Sequence, residues 1–271
     1  MCGWVVAVLE DERDDELHDE LHEEVVLPGG NVGGAVRVGA TVRRPTGPWT
    51  PAVHELLGFL ADEGLAGVPR PHGVDDRGRE VLDYLPGEVV PVGRVELTDA
   101  QLASAARWLR DYHRVVAGFP RSSRRWRFVE RALGPGEIVC HHDFAMYNLV
   151  FDGDALAGVF DWDTAGPGVP LDDLAMFAWV SPLLFPDADA ARLAHGLRVI
   201  ADAYGGVDPE TLLRHVERRV TDSADRITAG QRAGDAGMLR LGERDEPAST
   251  LRRLRLLVAR TDEIVAALAR G

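Results

Sequence analysis

The sequence predicts an α+β protein in two lobes, a small strand-rich one followed by a larger helical one. Three observations carry this. From Val25 to Leu85 short β-branched runs alternate with glycine and proline turns, with one helical stretch among them. From Thr98 onward apolar residues recur at helical spacing over long segments. The change of character follows Pro86-Gly87, so the boundary falls near 86–96. Strands first and helices afterwards is the order of an α+β fold. The 271 residues, 45% of them hydrophobic, suffice for a sizeable core.

Residues 1–23 form an acidic N-terminal segment that reads as a solvated face or a flexible tail. The first lobe, 24–88, starts with Val25 to Leu27, a glycine-rich turn from Pro28 to Gly34, and strands at Ala35 to Val38 and Thr41 to Arg43. Thr50 can cap a helix with Pro51 in its first turn and Val53, Leu56, Leu57 and Leu60 on its apolar face. Two more strands follow, Val68 to Val74 and Glu80 to Leu85.

The second lobe, 89–271, opens with a long amphipathic helix carrying Leu102, Ala105, Ala106, Leu109, His113 and Val116. A further helix is expected over 124–133 and a buried strand at Ile138 to Cys140. A hairpin at 149–160 turns on Asp152-Gly153-Asp154. Helices are then expected near 171–184, 187–204, 208–228 and 248–269, the last two separated by the glycine-rich, charged stretch 229–247.

Composition excludes several chemistries. The chain has no lysine: all thirty basic residues are arginine. A pyridoxal Schiff base, a Ser-Lys dyad and a P-loop lysine are therefore ruled out. The net charge of −14 is uneven, since residues 10–24 hold ten acids and one arginine. No basic stripe points to nucleic acid, and no apolar run reaches membrane-spanning length. The start lacks a basic n-region and a cleavage site, so no signal peptide is expected. Cys2 and Cys140 give neither a disulfide framework nor a metal spacing, which suits a cytoplasmic setting.

The chemistry concentrates in Val139 to Asn148 and Val159 to Asp163. The pattern is His-x-Asp-x4-Asn at His141, Asp143 and Asn148, with Asp161 thirteen residues later at the end of an apolar strand. Phosphoryl transfer needs charge neutralisation on the phosphates and a group that orients the attacking hydroxyl and takes its proton. Asp143, in a short loop after a buried strand, suits the second task, with His141 able to brace the loop. Asn148 and Asp161 offer hard oxygen ligands of the kind magnesium takes.

This segment resembles the catalytic loop and metal motif of the aminoglycoside phosphotransferase family, relatives of protein kinases and choline kinases. The family pattern His-Gly-Asp-Leu-x-x-x-Asn and Asp-Trp-(Glu/Asp)-x-Ala is matched by His141-His142-Asp143-Phe144 to Asn148 and by Asp161-Trp162-Asp163-Thr164-Ala165. Pro170 to Ala175 is similar too.

The resemblance implies a bilobal protein-kinase-like fold and a magnesium-dependent kinase acting on a hydroxylated small molecule such as an antibiotic, nucleoside, sugar or amino alcohol. It makes Asp143 the base, with His141 beside it in the catalytic set, and Asn148 and Asp161 the magnesium ligands. Asp83, Tyr84 and Leu85, before Pro86-Gly87, become the hinge that receives the base of ATP or GTP, and Gly30 and Asn31 the phosphate turn. Asp163 and Asp172 stand as further acids near the acceptor or behind the ligands.

One family feature is missing. A lysine on the third strand, paired with a helical glutamate, normally holds the α- and β-phosphates. Here the role falls to Arg43, with Arg44 second, or to no residue, and the helix offers Val53, His54 and Glu55 near the glutamate's place. Two other readings follow: a nucleotide-binding regulator without turnover, and a metal hydrolase built on His141, His142, Asp143, Asp161 and Asp163.

Overall fold

The computed structural model describes residues 23–27, 34–91 and 96–270. Gly30, Asn31 and nearly all of the acidic N-terminal segment lie outside these residues.

Five short strands form one antiparallel sheet: β1 (Val25–Val26), β2 (Val36–Val38), β3 (Thr41–Pro45), β4 (Pro71–Val74) and β5 (Arg79–Asp83), in the order β1-β2-β3-β5-β4. The register of β3 on β5 sets Arg44 directly opposite Glu80. Cross-strand partners have neighbouring Cβ atoms and side chains on one face. The helix α1 (Thr50–Asp62) buries Val53, Leu56, Leu57 and Leu60, the stripe read from the sequence.

The rest is mainly helical. It comprises α2 (Asp99–Val116), α3 (Pro170–Val180), α4 (Ala190–Tyr204), α5 (Pro209–Arg232), α6 (Ala236–Gly242), α7 (Ala248–Val258) and α8 (Thr261–Leu268). Three two-stranded ribbons interrupt the helices. β6 (Arg124–Arg125) pairs with β7 (Glu130–Arg131), β8 (Ile138–Cys140) with β11 (Gly166–Gly168), and β9 (Leu149–Asp152) with β10 (Ala155–Val159). The α2 start is a capping box, with Thr98 and Gln101 satisfying each other's backbone N–H.

The helix expected over 124–133 is absent; the segment is the β6–β7 ribbon. Its arginines are drawn to different sides: Arg124 to Glu55 on α1, Arg127 to Asp235 and Arg131 to Glu137. No single apolar face remains for a helix to bury. The helix expected over 171–184 ends at Val180, because Pro182 disfavours helical geometry at Ser181. The last helix breaks near 259–260, where Arg260 turns to donate to the carbonyls of Pro186 and Ala188. The stretch 229–247 holds the end of α5 and all of α6.

The core beneath the catalytic segment is aromatic. Trp108 stacks on both Tyr112 and Phe144, and Trp162 meets Tyr112 edge-on at 5.3 Å. Trp162 is 1% exposed, so it serves packing. The lobes are joined where the chain leaves β5: Glu88 and Phe151 exchange two backbone hydrogen bonds of 2.8 Å. That approach requires Gly87, at φ +136°, since a Cβ there would lie 2.5 Å from the Val150 side chain.

Candidate active site

The loop after β8 is held from below by one buried carboxylate. Asp173, on α3 and 0% exposed, accepts the backbone N–H groups of His141 at 2.9 Å and His142 at 2.7 Å. His113 Nε2 donates to it at 3.2 Å, and His113 Nδ1 lies 2.9 Å from the Tyr204 hydroxyl. Burial alone would raise the Asp173 pKa, but the His113 hydrogen bond and the nearby imidazoles outweigh it and hold it at about 2.

His142 sits at φ +63°, where the family pattern has glycine. Its Nε2 donates to the Pro167 carbonyl at 3.1 Å. Burial, reinforced by Arg219 and Arg226, pushes this imidazole down to about 3, so it is neutral. His141 is fully buried. Its Nδ1 accepts the Asp143 N–H at 3.2 Å and its Nε2 donates to the Phe160 carbonyl at 3.2 Å. The ring therefore braces the Asp143 backbone, with both of its nitrogens engaged by main-chain groups.

Asp143 receives the Tyr147 hydroxyl at 2.7 Å on one carboxylate oxygen and the Asn148 amide at 2.9 Å on the other. Burial raises its pKa, against the Tyr147 hydrogen bond. Asn148 also donates to the Asp143 carbonyl at 2.9 Å, so its amide nitrogen is engaged and its oxygen is the end that could accept a cation. Asp161 lies two residues beyond β10 at φ +61°, with its side chain 34% exposed. Asp163 follows, its pKa raised by burial and by Asp161 and Glu80, against Arg44.

The arginine facing these acids is Arg44. Its guanidinium reaches Glu80 at 2.5 Å and Asp161 at 3.0 Å, and it bonds Asp163. Arg43 points to the other face of β3, bonding Thr41 at 2.5 Å and lying 3.9 Å from Asp75. The order of the two candidates is thus reversed. The glutamate also comes from elsewhere: Glu80 on β5 pairs with Arg44 and accepts from His54 on α1 at 2.9 Å, while Val53 is core and Glu55 binds Arg124. Glu80 is 1% exposed; burial opposes its charge, but His54 and Arg44 prevail and lower its pKa.

Asp172 does not face the site. It accepts the Val169 N–H at 3.0 Å at the start of α3 and lies 2.7 Å from His215 Nε2. At the expected hinge, the N–H of Asp83 bonds the Arg70 carbonyl and that of Tyr84 the Ala40 carbonyl, and Arg37 covers the Tyr84 ring. Of the three, the sheet leaves Leu85 as the available donor. Sequence reasoning missed Asp173, Glu80 and Arg127. The last lies 3.6 Å from Asp163 and 3.0 Å from Asp235.

Asp143, Asn148, Asp161 and Asp163 open onto a cavity of about 690 Å³, closed on its far side by α3, α5, α6 and α7. Among the described residues no three His, Cys, Asp or Glu side chains converge as a metal cluster. His141 and His142 both spend their Nε2 protons on backbone carbonyls. The Nδ1 of His141 is taken by the Asp143 N–H, so a hydrolase centre would lack that ligand, while the Nδ1 of His142 is buried without a partner. Asn148 and Asp161, with one carboxylate between them, instead fit magnesium, which commonly takes one or two carboxylates and completes its shell with substrate phosphates and water.

Comparison with known proteins gives a family match over the segment that carries these residues. A family model described as "Phosphotransferase enzyme family" matches residues 131–209. A trifolitoxin immunity protein of Rhizobium leguminosarum bv. trifolii is 32% identical over 194 residues, covering 67% of this chain and 74% of that protein. Two solved structures share the fold. An amicoumacin kinase in complex with AMP-PNP and Ca2+ has a TM-score of 0.57 at 10% identity, covering 91% of this chain and 90% of that one. The GDP complex of an aminoglycoside 2'-phosphotransferase-IIIa has a TM-score of 0.59 at 15% identity, covering 90% and 94%.

Proposed function

The chain belongs to the phosphotransferase enzyme family, and on that premise we propose that it moves the γ-phosphoryl group of ATP or GTP to a hydroxyl of a small molecule in the cavity, with magnesium as cofactor. The observation that supports this most is the convergence of Asp143, Asn148 and Asp161 within one hydrogen-bonded loop and hairpin at the cavity mouth.

Asp143 orients the acceptor hydroxyl and takes its proton as the oxygen attacks; its raised pKa suits that task. Tyr147 and Asn148 fix the carboxylate so that little reorganisation is needed. Asn148 and Asp161 would hold magnesium, which neutralises phosphate charge. Arg44 is the phosphate-binding cation, held in reach by Glu80. A planar guanidinium binds phosphate through two parallel hydrogen bonds and stays charged at all relevant pH. The base of the nucleotide would meet the chain near Leu85. The relative's role in immunity and the antibiotic kinases among the fold neighbours support a toxic compound as acceptor, disarmed by phosphorylation.

Arg44 bonded to Asp161 and Asp163 favours a second reading, a nucleotide-binding regulator without turnover. Calorimetric titration of magnesium-ATP and magnesium-GTP into the wild type and Asp161→Ala tests the first. Binding that needs magnesium and is lost in the variant is the expected result, and absence of binding by either triphosphate would refute it. Nucleotide binding without γ-phosphate loss across a broad panel of hydroxylated acceptors would favour the regulator.

A further inference from the structure

The far wall of the cavity has an unexpected charge. The segment after residue 170 is nearly balanced, with sixteen acids and fourteen arginines. Yet the part of it that lines the cavity through α5, α6, α7 and their connections carries Arg219, Arg226, Arg244 and Arg253 against one carboxylate, Glu246. Glu246 is already engaged, accepting from the Ser249 hydroxyl and from the Thr250 N–H at 3.3 Å. A chain of net charge −14 thus turns a positive face into its own cavity.

Two of these arginines form no close ion pair among the described residues, although Glu246 acts on Arg253 and Asp222 on Arg226 at longer range. Arg253 lies flat over Trp179, 3.8 Å from the ring centroid, and Arg226 stands 5.8 Å from the Phe128 ring. Among the described residues neither has a carboxylate within ion-pair distance. The Nε of Arg253 is buried without a hydrogen-bond partner. Burial lowers both pKa values, that of Arg253 to about 10, and a guanidinium keeps its charge at neutral pH. Arg219 differs: it bonds the His142 carbonyl and Ser223 and belongs to the catalytic-loop scaffold. Burying a cation without a partner is costly. Here that cost falls beside an apolar patch of Met176, Val180, Leu184 and Ile227.

We infer that the phosphate acceptor is an anion, a hydroxylated molecule whose carboxylate or phosphate group pairs with Arg226 and Arg253 while its apolar part rests on Trp179 and Met176. The inference rests on the reading of the cavity as the acceptor site of a phosphotransferase. It sets this chain apart from kinases of aminoglycosides, whose polyamine character the same wall would repel.

The test needs no turnover. Matched phenols of one size are titrated into the full chain with magnesium-AMP-PNP present, and binding is read by calorimetry and tryptophan fluorescence. The probes are 4-hydroxyphenylacetate, 4-hydroxybenzyl phosphate, 4-hydroxyphenylacetamide and tyramine. One or both anions should bind at least about tenfold more tightly than the amide, with tyramine weakest. Which anion prevails separates a carboxylate from a phosphate acceptor. Arg253→Gln should erase most of the preference, and Arg226→Gln should do so independently should the first variant fold poorly. Equal or tighter binding of the amide or tyramine, no binding by either anion, or an anion preference untouched by both substitutions would overturn the inference. A separate titration of magnesium-ATP judges the phosphotransferase reading: its failure would leave the charge preference standing, and its success would not rescue a lost preference.

Discussion

Arg44 on β3 meets Asp161, two residues beyond β10, across the cleft, Nη1 to carboxylate oxygen, at 3.0 Å. The same guanidinium also holds Glu80 and Asp163, so one cation ties the sheet to the segment after the β9–β10 hairpin. Nucleotide binding, on the proposed reading, must redirect it from carboxylates to phosphates.

Arg44→Ala should lower kcat/KM for the triphosphate by about a hundredfold or more, since a cation that meets developing charge is removed. It should also destabilise the fold by about 3 kcal/mol, because Glu80 stays buried with His54 alone. Arg44→Lys should recover part of both. Steady-state kinetics and thermal unfolding of the pair check this, and wild-type stability in the alanine variant would contradict it.

Asp143→Asn keeps the shape of the side chain and removes the proton acceptor. Its kcat should fall about a thousandfold while triphosphate affinity measured by calorimetry changes little. Tyr147→Phe, which removes a hydrogen bond to the same carboxylate, should give a smaller fall in kcat.

Asp173 makes acid stability a local property. Its folded pKa of about 2 lies below the ordinary carboxylate value. A depressed carboxylate contributes stability above the unfolded pKa, near 4, and loses it as pH falls through the folded value. The wild type should therefore lose stability between about pH 4 and pH 2. Asp173→Asn should be less stable at neutral pH by about 2–4 kcal/mol, with a flatter profile in that window. Chemical denaturation at several pH values measures both.

His142 acts in a higher window. A neutral buried imidazole with a folded pKa of about 3 lets only the unfolded chain take up a proton between about pH 6.5 and pH 3. Its presence should make stability fall on acidification below pH 6.5, by up to about 1.4 kcal/mol per pH unit. His142→Gly, which suits the positive φ, should remove that slope. An unchanged slope would refute the assignment.

The strand–helix order and the motif were legible because glycine and proline punctuation and the helical period are local signals. The β6–β7 ribbon was not, since its shape follows from where Glu55, Asp235 and Glu137 stand in space. The choice of Arg44 over Arg43 depends on which face of β3 meets the cleft, and Glu80 on β3 lying beside β5, a register no single segment contains. Asp173 sat in a stretch already noted for its resemblance, next to the acid that drew attention. Its role comes from burial beneath a loop about thirty residues earlier in the chain.

The two backbone bonds between Glu88 and Phe151 tie the chain leaving the sheet to the β9–β10 hairpin. The strand leaving the sheet is fastened to the middle of β9, and Asn148 and Asp161 flank the hairpin that β9 begins. Any displacement of that strand would therefore be carried into the hairpin, and the groups proposed to hold the metal would shift together.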